Sequence, residues 1–173
     1  MLVVFFAILG AIVGSFLNVV ILRHGTRSVG GRSGCMSCGV QLRWYDMIPV
    51  LSWIILCGKC RACGSAISIQ YPIVEALTAS TFVGVGLSYM PTVLIVPALI
   101  IVSLFIVIAV YDLRHTIIPD SWVWTLNVVA LLWGLSSMLL VQSHDTWWWI
   151  ILGGPAVALP LFLLWAVSHG GWM

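Results

Sequence analysis

The sequence predicts an all-α membrane protein, a polytopic helical bundle with one small polar insertion. The chain of 173 residues is 62% hydrophobic and only 7% charged, with a mean hydropathy of +1.15. Soluble domains carry about 25% charged residues, so an ordinary solvated surface is excluded. The second observation is the recurrence of long apolar runs, and the third is a single interval, residues 23–70, that holds all five cysteines and six of the seven basic residues. Composition therefore favours a membrane-embedded chain with one polar segment.

Five apolar runs predict five membrane-spanning helices. Each has about 18 to 22 residues, which at 1.5 Å per residue suffices to cross a ~30 Å hydrocarbon core. Backbone polar groups cannot stay unpaired in lipid, so these runs are expected to be helical. The predicted spans cover residues 2–22, 72–89, 92–110, 121–141 and 147–168.

The basic residues predict the orientation of the spans. If the first span runs from outside to inside, the segment 23–70 and Arg114 both lie in the cytoplasm, and all seven basic residues fall on that side. This distribution is the one that the positive-inside rule expects. The first span lacks a basic n-region and an evident cleavage site, so we interpret it as a retained helix and not as a signal peptide.

The cysteines form two CxxC pairs, CMSC and CRAC, inside the polar segment. Four thiolates at this spacing are typical of a tetrahedral zinc site, and full coordination by protein makes such a zinc structural. Two disulfides or free thiols are the alternatives, and a cytoplasmic position disfavours the disulfides. Cys57 stands outside the pattern and is predicted to be a small buried residue. The predicted ligands are Cys35, Cys38, Cys60 and Cys63.

The chain is therefore predicted to have three parts: a first transmembrane helix at 1–22, a small cytoplasmic zinc-binding insertion at 23–70, and a transmembrane core at 71–173. A zinc ion would clip together an insertion that is too small to build its own hydrophobic core.

Two carboxylates lie at or within predicted spans. Asp112 ends the third span, where it either pairs with Arg114 or His115 or takes part in chemistry. Glu75 lies one turn into the second span, and an ionisable residue inside a membrane is a functional candidate. One such function would be to hold the polar segment against the helices, and the alternative is a buried, hydrogen-bonded group near the interface.

Three further polar residues have open assignments. Asn18 lies inside the first span, where its amide can bond a neighbouring helix and where Gly14 allows close packing, or where it contacts substrate or cofactor. Asp46 lies in the polar segment and is either structural or substrate-facing. Asp120 follows Pro119 at the start of the fourth span, which favours a helix N-cap over a functional role.

Several blocks of the sequence resemble the type IV prepilin peptidases, membrane aspartic proteases that also methylate their product. They occur in the family's order from about residue 10 to residue 120, and the CxxC segment together with YPIVE is the specific part. One departure is Gln70, where the family often has Arg. The blocks are GSFLNVVILR (14–23), CMSC (35–38), LRWYDMIPVLSWIILCGKCRACG (42–64), YPIVEALTA (71–79) and YDLRHTIIPD (111–120).

The resemblance implies a function at the bacterial inner membrane. It implies that the chain cleaves leaders of prepilins and pseudopilins on the cytoplasmic side and N-methylates the new N-terminus with S-adenosylmethionine. Asp112 would be one of two catalytic aspartates, and Glu75 would be a candidate for the methyl-transfer site. Prepilins and membrane lipid are the implied partners, nucleic acid is not expected, and the oligomeric state is left open.

The family's second aspartate lies in a Gly-x-Gly-Asp motif, which the sequence does not contain. The core at 71–173 is therefore expected to be incomplete at its C-terminus, with the second aspartate beyond residue 173 and the 173-residue chain inactive alone. The alternative is a catalytically inactive assembly or scaffold protein of a pilus or type II secretion system.

Overall fold

The computed structural model describes residues 1–26, 28–141, 152 and 159. Among them the structure has α-helices and one short 3-10 helix but no β-strand, which confirms the predicted all-α class. Three helices are long and apolar enough to cross a membrane, α1, α4 and α5, as expected of a multi-pass membrane protein. In chain order the helices are α1 (Leu2–Arg23), the 3-10 helix (Trp44–Met47), α2 (Leu51–Ile55), α3 (Gln70–Gly86), α4 (Thr92–His115) and α5 (Asp120–Val141).

The helix bounds agree with the predicted spans at α1 and α5 and differ at α3 and α4. α3 begins two residues before the predicted span at 72–89 and ends three residues before residue 89. The early start is possible because Pro72 fits the first turn of a helix, where its missing N–H is not needed. α4 continues five residues past the predicted end at 110. It ends where Thr116 takes a left-handed conformation (φ +52°) and donates its N–H to the carbonyl of Asp112 at 2.7 Å, a common helix terminus. The predicted fifth span at 147–168 lies outside the described residues, apart from two isolated positions.

Contacts divide the chain into two units, Met1–Ala130 and Leu131–Met173. The packing and the sites described below belong to the first unit. Its buried apolar cluster joins three helices through Leu17 and Ile21 of α1, Val74 of α3, and Ile106 and Val107 of α4.

Glycines bring α1 and α3 into close contact. A Cβ atom added at Gly10 would lie 2.7 Å from the Cα of Ala79, and one added at Gly14 would lie 2.8 Å from the Cα of Glu75. No side chain fits at those distances, so the two backbones touch directly, as small residues allow between membrane helices. This contact places Glu75 beside the middle of α1.

Candidate functional site

Each CxxC pair forms a tight turn of the same backbone shape. In the first turn, the N–H of Gly39 donates to the carbonyl of Cys35 at 2.9 Å, and in the second the N–H of Gly64 donates to the carbonyl of Cys60 at 2.9 Å. Both glycines have a left-handed conformation, with φ of +72° and +70°. Glycine adopts that conformation without a steric cost, so the residue after each pair is suited to reverse the chain. Each turn therefore brings its two thiols close together.

The four thiols of the two turns form one cluster. All four sulfur atoms lie within 4.8 Å of one another, and Cys35 Sγ and Cys63 Sγ, from different turns, are 3.9 Å apart. Four thiolates at ~2.3 Å from a tetrahedral zinc ion are themselves about 3.8 Å apart. None of the cysteines forms a disulfide. The cluster can hold a metal ion with four sulfur ligands, which leaves no position for a substrate.

The environment of Cys35 favours its thiolate. Its pKa falls from 9.0 to about 6 because the backbone N–H of Cys38 stabilises the charge, followed by the N–H of Ser37 and the hydroxyl of Ser65. The pKa of Cys63 is also lowered, first by the Ser65 hydroxyl and then by the Ser65 N–H. Since a thiolate is the form that binds metal, Cys35 is ready to coordinate at neutral pH.

Cys38 is affected in the opposite direction. The N–H of Val40 lowers its pKa, but hydrogen bonds with Cys63 and Cys35 and the charge of Cys35 raise it, to about 11 in total. Crowded thiols resist carrying several negative charges at once. A bound dication would remove that penalty, so the thiol cluster fits a metal better than it fits four free thiolates.

Cys57 is exposed, so its prediction as a buried residue is wrong. It follows the short α2 and has a positive φ of 49°, because the chain turns there from α2 into the second cysteine turn. The structure does not bring it into the four-cysteine cluster.

Asp46 ties the 3-10 helix to the second cysteine turn. One carboxylate oxygen accepts from Nε and Nη2 of Arg61, both at 2.9 Å. The Asp46 side chain is 7% exposed and that of Arg61 is 53% exposed, so solvent weakens the pair from one side. The Arg61 guanidinium also lies 5.2 Å from the centre of the Tyr45 ring. These contacts correspond to the structural alternative for Asp46.

Glu75 holds the polar segment against the helices. Its buried carboxyl group accepts the backbone N–H of Val50 at 2.6 Å, and the hydroxyl of Ser15 also reaches it. Val50 has φ +61° and ψ −50°, an unfavourable conformation for a β-branched residue. A strong acceptor at this N–H supports the strained turn.

Asn18 links α1 to the start of α3. Its side-chain nitrogen donates to the carbonyl of Tyr71 at 3.2 Å and to that of Gly14 at 3.3 Å, and its oxygen accepts from Gln70 Nε2 at 3.3 Å. The side chain is fully buried and has partners on both polar atoms. This geometry corresponds to the packing role.

Asp112 lies in the last turn of α4 and is half-buried. Among the described residues its carboxylate forms no ion pair or hydrogen bond, and neither Arg114 nor His115 pairs with it. The pairing alternative for Asp112 is therefore absent from this structure. A carboxylate without a partner remains available to a water molecule or a substrate.

An aromatic cluster beside Asp112 joins the ends of three helices, and sequence reasoning missed it. His24, just after α1, lies with its ring centre 5.3 Å from that of Tyr111 and 4.3 Å from that of Trp122 in α5. Tyr111 also stacks on His115 at 4.4 Å. The signal in the sequence was one aromatic or imidazole side chain at each predicted helix end. The cluster shows that Asp112 lies at the same end of the first unit as the start of the polar segment.

Asp120 is the first residue of α5, so the N-cap position falls to Pro119 and the prediction of Asp120 as the N-cap is wrong by one residue. The Pro119 carbonyl accepts the N–H of Trp122 at 3.1 Å. A carboxylate in the first turn interacts favourably with the helix dipole, which accounts for Asp120 without a catalytic role.

The chain is similar to proteins of one kind. It matches the family model "Bacterial Peptidase A24 N-terminal domain" over residues 8–89. It is 48% identical over 120 residues to a prepilin leader peptidase/N-methyltransferase of Myxococcus xanthus, covering 68% of this chain and 36% of the relative. Similar proteins with the same name occur in Bacillus subtilis, 33% identical over 95% of this chain and 65% of the relative, and in Neisseria gonorrhoeae, 31% identical over 93% and 64%.

The chain spans between about a third and two thirds of the length of these relatives. No solved structure gives a significant match. The matched blocks include the cysteine turns and the α1–α3 pair described above. The chain therefore belongs to the family of the prepilin leader peptidase/N-methyltransferases.

Proposed function

We propose that this chain forms part of a membrane aspartic endopeptidase. The enzyme removes leader peptides of type IV prepilins and pseudopilins at the cytoplasmic face of the inner membrane and N-methylates the new N-terminus. The observation that carries the proposal is Asp112, a half-buried carboxylate without a described partner, in the last turn of a membrane-spanning helix. The relatives are prepilin leader peptidase/N-methyltransferases, which supports the substrate class.

The chemistry needs two carboxyl groups. An ionised carboxylate takes a proton from water, and the resulting hydroxide adds to the scissile carbonyl carbon, while a protonated carboxyl donates a hydrogen bond to the carbonyl oxygen. Two carboxyl groups at close range separate their pKa values because both cannot stay charged. Asp112 supplies one of the two groups in this proposal.

None of the other described carboxylates supplies the second group. Asp46 is paired with Arg61, Glu75 with the N–H of Val50, and Asp120 begins α5. None of them forms a hydrogen bond with Asp112 in the described part of the chain. We assign the second group to the family's Gly-x-Gly-Asp motif, which residues 1–173 do not contain. The 173-residue chain alone is then inactive.

The four-cysteine cluster holds one structural zinc ion in this proposal. When bound, zinc joins the two cysteine turns through four sulfur ligands, and its tetrahedral preference fits the observed sulfur spacing. The chain supplies the rest: the Asp46–Arg61 pair and the Glu75–Val50 hydrogen bond attach the cysteine segment to the 3-10 helix and to α3. We assign Glu75 this positioning role and no methyl-transfer role.

S-adenosylmethionine is the methyl donor implied for the second reaction. The described residues include no glycine-rich strand–turn–helix of the kind that binds nucleotides.

The test uses a version of the chain extended by a family segment that carries Gly-x-Gly-Asp. Asp112→Asn in that version should lower the rate of prepilin cleavage by at least about 10²-fold, since each acid–base role contributes 10²–10⁴-fold. Asp120→Asn is the matched control and should retain most activity. Cleavage by the Asp112→Asn protein at the parent's rate would refute the assignment, and an extended parent that binds prepilin without cleaving it would favour a scaffold protein.

A further inference from the structure

We propose that residues 47–58 form a re-entrant segment whose tip, at Pro49 and Val50, lies among the lipid acyl chains on the side of the membrane where α1 ends. The segment was expected to be cytoplasmic with the rest of residues 23–70. The inference concerns lipid contact and does not depend on prepilin cleavage.

The composition of the segment is the first argument. Residues 47–58, MIPVLSWIILCG, contain no charged side chain, while Arg43 and Asp46 precede them and Lys59 and Arg61 follow. An apolar run of this length is too short to span a bilayer and is typical of re-entrant or interfacial segments. The charged residues on both sides suit the headgroup region, which Trp44 and Tyr45 also favour.

The exposure of the segment is the second argument. Its large apolar side chains point away from the rest of the protein: Leu51 is 57% exposed, Ile54 57% and Ile55 73%. In water such a contiguous apolar surface would be costly and prone to association. In acyl chains it carries no cost, as for the exposed apolar residues of α1.

The depth of the segment is the third and strongest argument. α3 starts beside Asn18, which bonds Tyr71, and passes Gly14 at Glu75. At 1.5 Å per residue, Asn18 and Gly14 lie ~7.5 Å and ~13.5 Å inside the Arg23 end of α1. The Glu75 side chain leans toward the start of α3, so the Val50 N–H that it accepts lies between these two levels, about 10 Å inside that end. Half of a hydrocarbon core is about 15 Å.

The hydrogen bonding of the tip fits such a depth. Non-helical backbone is tolerated at membrane depth where it packs against protein that pairs its polar groups, and Pro49 and Val50 are partly buried against the helices. Pro49 has no N–H, the N–H of Leu51 donates to the Pro49 carbonyl at 2.6 Å, and the N–H of Val50 donates to Glu75 at 2.6 Å. The φ and ψ of Val50 are those of a γ-turn, which closes a chain reversal in three residues. Neither tip residue therefore has an unpaired backbone N–H. The need to pair the Val50 N–H explains why α3 carries the carboxyl group of Glu75.

Photo-crosslinking in native membranes tests the proposal. Benzoylphenylalanine is placed at Ile55 of the full chain, and at Met36 as the control. Met36 is also apolar and is 81% exposed, but it lies in the first cysteine turn, where its neighbours are Ser33, Gly34 and Ser37. After irradiation, mass spectrometry should find phospholipid adducts on the Ile55 probe and none on the Met36 probe.

No adduct at Ile55, or adducts there only to a second copy of the chain or to another protein, would overturn the proposal, because lipid would then not cover this surface. A second variant tests the anchor. Glu75→Leu removes the acceptor of the Val50 N–H and should cause loss of the lipid adduct at Ile55, whereas Glu75→Gln keeps a carbonyl acceptor and should retain it. If the Leu variant does not accumulate, the comparison of Ile55 with Met36 in the parent chain still decides.

Discussion

The cysteine cluster and the end of α4 differ in how many of the functional groups that each site needs are found among the described residues. At the cluster, all four candidate ligands lie within 4.8 Å of one another. At the end of α4, Asp112 stands without a second carboxylate among the described residues. The first arrangement has all four ligands of a metal site, whereas the second supplies, in our proposal, one of two catalytic carboxylates.

The difference follows from the range of the interactions that build each site. Each cysteine turn is closed by hydrogen bonds between residues four or five apart, around a glycine with positive φ. The catalytic pair that we propose would join Asp112 to a carboxylate far from it in sequence. Local sequence can therefore specify each half of the metal site, whereas the proposed peptidase site depends wholly on distant segments. The following predictions separate the two sites experimentally.

The largest expected effect is at the cysteine cluster. Cys60→Ser removes one of four ligands and should abolish the binding of about one zinc per chain and lower thermal stability, since structural zinc contributes on the order of 10 kcal/mol in small domains. Elemental analysis and thermal unfolding measure both. Cys57→Ser is the control and should keep the metal. Equal zinc content in the two variants would contradict the assigned ligand set.

Overpacking between α1 and α3 should have the next largest effect. Gly14→Ala places a methyl group 2.8 Å from the Cα of Glu75 and should destabilise the protein by about 1–3 kcal/mol, because the backbones must separate. Gly84→Ala has open space around the new methyl and should not destabilise. Thermal unfolding in detergent compares them, and equal melting temperatures would show that the close contact is absent.

Loss of the aromatic cluster should affect cleavage but not metal binding. Trp122→Ala removes the ring that contacts His24 and Tyr111, and aromatic pairs contribute about 0.5–1.5 kcal/mol each. In an extended, active version we expect roughly tenfold slower cleavage with unchanged zinc content. Trp124→Ala, at a position 70% exposed, should cleave normally. If zinc content falls with Trp122→Ala, the two sites are not independent.

The smallest expected effect concerns the Asp46–Arg61 pair. Because the Arg61 side chain is 53% exposed, Asp46→Asn should cost less than about 1 kcal/mol. We expect faster zinc release to a chelator with little change in zinc content at equilibrium. A double-mutant cycle with Arg61→Ala measures the coupling, and a coupling energy well above about 1 kcal/mol would contradict the weak, partly exposed pair.

Much of the fold could be predicted because apolar runs in a membrane protein must be helical. The predicted bounds of α1 and α5 agree with the structure to within a residue, while α4 extends past Asp112. The end of α4 is set by Thr116, which has a left-handed conformation. The first charged residue after the apolar run, Asp112, therefore does not mark the end of the helix.

The contacts of the polar residues were harder to predict. The spacing of CxxC pairs predicted the cluster, and the depth of Glu75 in an apolar run marked it as important. Its partner, the N–H of Val50, was not predictable, because it depends on a γ-turn 25 residues away in sequence. The aromatic cluster was missed for a similar reason, since His24, Tyr111 and Trp122 meet only after three helices have packed.

One preparation tests the central contrast most directly: the purified, zinc-loaded 173-residue chain, measured for metal content and for prepilin cleavage beside its extended version. We predict about one zinc ion in each, cleavage by the extended version only, and loss of that cleavage with Asp112→Asn. Robust cleavage by the 173-residue chain would contradict the account, because its Asp112 would then have a catalytic partner within residues 1–173.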